Sequence, residues 1–477
     1  MFVNPNHFAG FLMAAGVIFL CLGAWGSMRT WARALTLYLA AVCWLGVAIS
    51  GSRGGYFAIA GSILCFVLGT LYVVRQADTG RFAGAGLGVI GLALIVGFAF
   101  ILTSQNNMLS DRIQTALFKE DVRVYNWQAA LDHFRLSPWI GTGAGTHLIY
   151  GRLFRRVLNQ SDPVHAHCDY LELLAEYGVV GGLCMAIFVI AHVRNGLRSF
   201  PRIPPRLAQF ERLNFENLQS NRFGIQFGAL CAVGGLAFHS VVDFDMHIPG
   251  IALIFAFVFG VLANPGVERP LHVVDRSVTP WVRFLLPILG AWMLWRALPL
   301  LPSEYCSEMA RRAIRVNSFN DAIAYAQKGL GEKGWPRSYA LNAGQWPSEA
   351  TLDKMLGVFG PNPENPELYF YLGQAQREAG MRVADPAVRQ YFFEQAALAF
   401  EAELRIFPQD GNALLEYGQL LAGLERYMEA EEAYAKALAL DPKLELLYVE
   451  RAKLLEAEGR KAESERIERE RREIFGH

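Results

Sequence analysis

The groups best equipped for chemistry in this 477-residue chain gather in short stretches between long apolar runs. HAHCDYLELLAEYG, residues 165–178, sets His165, His167 and Asp169 immediately before an apolar helix, with Glu176 two turns into it. An imidazole, with an ordinary pKa of ~6.5, can orient or deprotonate a hydroxyl near neutral pH. In ISGSRGGYF, Arg53 stands alone between small residues at the end of an apolar run. Arginine binds phosphate bidentately, so one reading is a phosphorylated ligand arriving from a bilayer; the other is snorkelling to headgroups. GRLFRR adds Arg152, Arg155 and Arg156, either a substrate-binding basic cluster or a solvated patch, and HSVVDFDMHIP adds Asp243, Asp245 and His247 as possible partners for the arginines.

Structural readings stand beside the chemical ones. Asp169 with Glu172 three residues on fits a capping box, and we favour a cap over catalysis there. Two histidines one residue apart would suit a metal, but no third ligand is evident nearby in sequence. The expectation is therefore chemistry without a metal or other cofactor. Glu176 is costly in an apolar helix unless it faces a polar cavity or a partner. SPWIGTGAGTH, with Gly141, Gly143 and Gly145 alternating, has no preceding strand and no following GK[ST], so it is read as a tight turn near a ligand or bilayer rather than a phosphate cradle. DVRVYNWQAALDHF places Val124, Trp127, Leu131 and Phe134 on one helical face, expected to lie on the membrane surface or against the bundle, with Arg123, Asn126 and Asp132 opposite.

These groups are positioned by two unlike halves. The chain is 53% hydrophobic, with 44 basic and 44 acidic side chains. Zero formal charge argues against a nucleic-acid binder, which needs a basic excess. Eight stretches approach the ~20 apolar residues of a membrane span, near 5–26, 34–50, 55–74, 83–103, 171–193, 224–242, 248–264 and 282–300. The first is too long and wrongly flanked for a signal peptide. Arginines after the first, third and fifth spans belong on the cytoplasmic side, which places the segment 104–170, the VVDFDMH turn and everything beyond residue 300 outside. Met1 then also falls outside, the pattern of a chain that starts part-way through a longer membrane protein. The seven cysteines mostly lie in apolar runs and read as small packing residues, not as a disulfide or zinc framework.

From about residue 303 the sequence is charged. Pro408 and Pro442 lie one 34-residue period apart, and Leu414, Tyr417, Gly418, Leu421, Ala430, Tyr434 and Ala437 between them fit a tetratricopeptide pattern. A copy with Gly373, Ala396 and Phe400 precedes it, with a turn longer by about eleven residues, and a weaker copy follows from Glu445. The expected fold is all-α: a polytopic bundle over 1–303 followed by a tetratricopeptide-like solenoid over 304–477, whose partner the pattern does not name.

NPNHFAGFLM, SRGGY, Arg123–Trp127 (R-x-x-x-W), SPWIGTGAGT, HAHCDYLELLAEYGVVG and HSVVDFDMHIPG, in that order over roughly residues 1 to 265, resemble the O-antigen ligase and polymerase family of bacterial membrane glycosyltransferases. The resemblance implies transfer of a glycan from a polyisoprenyl-diphosphate carrier, at the periplasmic face of the inner membrane, onto a lipid A core sugar or another glycan. It implies that Arg53 and Arg123 hold the diphosphate and that His167 assists the acceptor, with His165, Asp169 and Glu176 beside it. Where the family commonly has asparagine after this histidine, the chain has Cys168. About five spans that precede NPNHFAGFLM in the family are absent here. Two other classes stay open, a flippase for the same lipid-linked glycan and a non-catalytic scaffold that presents the repeats.

Overall fold

The computed structural model describes residues 4–76, 122–198, 200, 220–263, 279–332 and 349–476. The span expected at 83–103 lies outside the described residues, as do residues 104–121 of the expected outer loop and Arg202, Arg206 and Arg212 of the basic link. The described residues are helical, without a strand, and the chain divides into two compact units, residues 1–270 and 271–477.

The first unit is a polytopic membrane bundle. It contains α1 (Pro5–Trp25), α2 (Thr30–Ser50), α3 (Arg53–Gln76), α4 (Val122–Leu136), α5 (His147–Leu153), α6 (Asp169–Leu197), α7 (Asn221–His239), a 3₁₀ turn at Asp245–His247, and α8 (Pro249–Ala263). Among the described helices α1, α2, α3 and α6 are long and apolar enough to cross a membrane, and α8 is a shorter apolar helix. Local chemistry sets the ends. Asn4 accepts from the Asn6 N–H at 2.9 Å with Pro5 in the first turn, and Arg33 donates from Nε to the Gly23 carbonyl at 3.1 Å, satisfying the end of α1.

Close packing uses small residues. Gly228 lets α7 approach the α1 backbone, where a Cβ would stand 2.8 Å from the Ile18 Cα. Met13, Val17, Trp25, Ile59, Phe227, Ile251 and Phe255 fill the resulting core. The outward faces of α2 and α6 stay apolar, Leu45, Ile49, Ile187 and Ile190 being exposed, as a bilayer solvent requires.

The second unit begins with α9 (Thr279–Ala297), on the stretch expected as an eighth span, and continues through α10 (Leu301–Arg315), α11 (Phe319–Leu330) and α12 (Glu349–Phe359). Three successive pairs follow: α13 (Pro366–Met381) with α14 (Pro386–Ile406), α15 (Gly411–Gly423) with α16 (Tyr427–Leu440), and α17 (Glu445–Ala457) with α18 (Lys461–Phe475). The periodic residues do the packing. Gly373 faces the Phe400 ring and Gly418 the Tyr434 ring, so a Cβ at residue 418 would meet that ring at 2.5 Å, while Ala396, Ala430 and Ala437 are buried between helices. Asp385 and Asp410 cap α14 and α15. The pair α10–α11, built on Cys306, Ala310, Ala313, Ala322 and Ala326, is an addition that the 34-residue spacing did not reveal.

Glu403 is buried on α14, where burial and then the nearby Asp410 raise its carboxyl pKa from 4.5 to about 9. The folded state therefore binds a proton that the unfolded chain releases above pH 4.5, so this contribution is present below that pH and is lost as pH rises toward 9. Glu403→Gln, which mimics the protonated side chain, is expected to raise the melting temperature of the full chain at pH 8 but not at pH 4.5. Thermal unfolding followed by circular dichroism at the two pH values checks this.

Candidate active site

The loop between α4 and α6 is locked to the start of α6 by reciprocal backbone fits. Gly178 interrupts α6 with φ 64°, and a Cβ there would stand 2.4 Å from the Trp139 carbonyl. Gly141 has φ 73°, and its Cβ would meet the Glu176 carbonyl oxygen at 2.1 Å. Val179 and Val180 N–H groups donate to the Pro138 and Trp139 carbonyls at 2.8 and 3.0 Å, and the Gly143 N–H donates to the Glu176 carbonyl at 2.9 Å. The alternating glycines thus let one backbone seat on another. Glu176, buried, accepts from the His147 N–H at 3.1 Å.

Of the two placements expected for the apolar face of α4, the structure fits the membrane-surface one better than close packing against the bundle, with Trp127 and Phe134 only half-buried. Val124 and Leu131 are exposed, whereas Asn126, Ala129, Ala130 and His133 face inward. The reason is a polar interior. Asn126 accepts from Asn159 at 2.7 Å, and His133 meets Thr142 at 2.6 Å and His147 at 3.4 Å, with their rings stacked. Burial lowers both imidazoles to about 4, helped by neighbouring histidines and opposed by the charge of Glu172, so they pack as neutral rings at neutral pH.

The three arginines of GRLFRR belong to this loop's framework. Arg152 is buried in a fork with Asp162, 2.9 Å from Nε and from Nη2, and Arg155 is buried against the carbonyls of Asn159 and Ser161. Arg156 bonds Asp132 at 2.6 Å and Gln128 at 3.1 Å. Fixing the loop, rather than forming an open cationic patch, is what these contacts accomplish.

His165, His167 and Asp169 come together with HSVVDFDMH. The backbone of His167 is left-handed, φ 52°, an uncommon and strained conformation for a non-glycine residue. Its carbonyl accepts from the Trp127 indole at 3.2 Å, tying it to α4, which carries the half-buried Arg123 one turn earlier. Its Nδ1 lies 3.5 Å from Oδ1 of the fully buried Asp243. Burial raises the Asp243 carboxyl, but the bond to His167 and the charge of His239 outweigh it and hold the group below the usual carboxylate range.

The capping box does not form as expected. Cys168 holds the N-cap position of α6 without a side-chain bond, and Asp169 turns instead to Ser240 Oγ at 2.8 Å and His247 Nδ1 at 3.3 Å. Long-range partners outcompete the local cap. Glu172 reaches back to the Ala166 N–H at 2.9 Å and to His165 Nδ1 at 2.8 Å.

Beneath this layer, Asp245 is fully buried between two histidines, with His7 Nδ1 at 3.0 Å from one oxygen and His239 on the other. The sequence offered His7 and His239 within quoted motifs, but only the fold reveals their shared carboxylate. His239 also explains SRGGY: a Cβ at residue 54 would stand 2.6 Å from its Nε2, so Gly54 is required beside Arg53. Arg53 is exposed at the first turn of α3, with no hydrogen-bond or ion-pair partner among the described residues.

A cavity of about 450 Å³ opens alongside, with Asp169, Glu176, Ser240 and His247 at its polar end and Met185, Val189, Ile190 and Phe259 as apolar walls.

Residues 37–186, which contain Arg53, Arg123, His165, His167, Asp169 and Glu176, match the O-antigen ligase family. The chain carries an O-antigen ligase domain. With its apolar helices, the O-antigen ligase domain makes this a multi-pass membrane protein. A further similarity is to Protein O-mannosyl-transferase Tmtc3 of Drosophila melanogaster, 30% identical over 185 residues, which covers 34% of this chain. The match spans only 18% of that relative's length. Residues 187–263, outside the matched stretch, supply His239, Asp243, Asp245 and His247 to this cluster.

Proposed function

We propose that the chain transfers a glycan from a polyisoprenyl-diphosphate carrier to a sugar hydroxyl at the periplasmic face of the bacterial inner membrane. The observation that carries this reading is that His167, within the stretch that matches the O-antigen ligase family, is set against the buried Asp243. The acceptor hydroxyl attacks the anomeric carbon as its proton passes to His167 Nε2, and Asp243 stabilises the imidazolium through Nδ1. The bond from the anomeric carbon to the diphosphate oxygen breaks, and its electron pair leaves with the diphosphate. Arg53 and Arg123 offset the growing negative charge, a stabilisation that operates without a metal. The cavity beside Asp169 and Glu176 offers apolar walls for a lipid tail next to groups that accept hydrogen bonds from sugar hydroxyls. The helix pairs of the second unit read as tetratricopeptide repeats that recruit the acceptor or other assembly proteins.

The test supplies membranes containing the full chain with a polyisoprenyl-diphosphate glycan and a lipid A core acceptor. One new conjugate identifies a ligase and a size ladder a polymerase. Arg53→Ala is expected to lower either product by about 100-fold or more, the scale of losing one preorganised group that stabilises developing charge. Product formation unchanged by Arg53→Ala would remove the role assigned to that guanidinium. No product from the unsubstituted chain in either assay would overturn the transfer reading.

A further inference from the structure

We propose that His165, Glu172 and His247 form a binding site for a divalent transition-metal ion of the zinc type. The three residues come from the loop before α6, the first turns of α6 and the 3₁₀ turn after α7. Their donor atoms nevertheless converge, all lying within 4.8 Å of one another. His165 Nδ1 is 2.8 Å from Glu172 Oε1, and His247 Nε2 is 3.5 Å from the same oxygen. Ligands on a tetrahedral zinc at about 2.0–2.1 Å stand roughly 3.3 Å apart, so these separations bracket what an ion would impose.

The outer contacts are those of a built site. His247 presents Nε2 to the cluster while its Nδ1 faces Asp169 Oδ1 at 3.3 Å, a carboxylate behind a ligating imidazole that fixes ring orientation. The second oxygen of Glu172 accepts the Ala166 N–H at 2.9 Å, leaving Oε1 for the cluster. His165 stacks on Phe244 with ring centroids 4.1 Å apart. Glu172 is buried, whereas the two histidine side chains remain about one-third exposed, so an ion can enter and keep a fourth position for water.

Two imidazoles and one carboxylate suit zinc, cobalt or nickel better than magnesium or calcium, which prefer all-oxygen shells. His167 is not part of this set, because its Nδ1 faces Asp243. The ion would tie the loop, α6 and the 3₁₀ turn together beside the proposed base, and the transfer chemistry above does not depend on it.

The test measures zinc binding directly, with no glycan present. The full chain is purified in detergent through a tag free of histidine, stripped with a chelator, and titrated with zinc against a chromophoric indicator. One site per chain is expected. Affinity should fall ten- to a hundred-fold in Asp169→Asn, the range for loss of an outer-shell partner, and further in His247→Ala and His165→Gln. Circular dichroism confirms that each variant is folded, and His165→Gln serves if His247→Ala is not. Absence of stoichiometric binding, or equal affinity in the unsubstituted chain and in a folded ligand variant, overturns the proposal. Either result leaves glycan transfer to be judged by its own assay.

Discussion

His167→Asn is expected to lower product formation in membranes by about 10²–10⁴-fold, the usual loss on removing a general base. Asparagine is chosen because residue 167 sits at φ 52°, a region asparagine enters more readily than most residues, so the variant keeps the backbone and loses the imidazole. Asp243→Asn should produce a smaller loss, because the imidazole remains and only its charged partner is gone. The discriminating measurement is the pH profile of initial rate. If His167 accepts the proton, the profile of the unsubstituted chain and that of His167→Asn differ in shape. A His167→Asn variant with full activity would end the base assignment.

The second large effect is on architecture. Gly178→Ala places a methyl group 2.4 Å from the Trp139 carbonyl at φ 64°. With ψ −171° this is the extended positive-φ region open essentially to glycine alone, which costs about 1–3 kcal/mol for an L-residue, and the clash is with backbone, which cannot swing aside. The expected outcome is detachment of residues 138–146 from α6, a total cost of roughly 3 kcal/mol or more, and rapid proteolytic cleavage in that loop. Limited proteolysis of the detergent-solubilised chain, read by mass spectrometry, checks it. A cleavage pattern identical to that of the unsubstituted chain would show that the loop is held by something other than this backbone fit. Gly145→Ala is the useful contrast, since its φ is also positive but no atom stands within 4 Å of a Cβ there.

The features legible in the sequence were those with short-range signatures. The spans that became α1, α2, α3 and α6 announced themselves by length and apolarity, and Gly418 and Tyr434 by their period. SPWIGTGAGTH was recognisable as a place where backbone must come close, though the surface it meets, around Glu176, was not. What escaped was whatever depends on distant pairing. Asp169 and Glu172 satisfy a local capping rule, yet Ser240 and His247 lie some seventy residues away and win Asp169 from it. The sequence left the placement of α4 open for a related reason. Val124 and Leu131 point outward while Asn159 and His147 reward burial of Asn126 and His133, and a single helix's periodicity carries no record of such partners. Likewise the GRLFRR arginines gave no hint in sequence that Asp162 and the Ser161 carbonyl would claim Arg152 and Arg155.

The carboxylate of Asp245 joins His7 to a residue 238 positions later. Chains are synthesised at about 5–20 residues per second, so His7 waits roughly 10–50 seconds for its partner after it leaves the ribosome tunnel's start. During that interval α1 enters the bilayer with a polar ring unmatched at its end, and neither Asp243 nor His247 yet exists. The site is therefore assembled last, after most of the membrane unit has been made. A ribosome that stalls before residue 243 leaves His7 without the carboxylate it packs against.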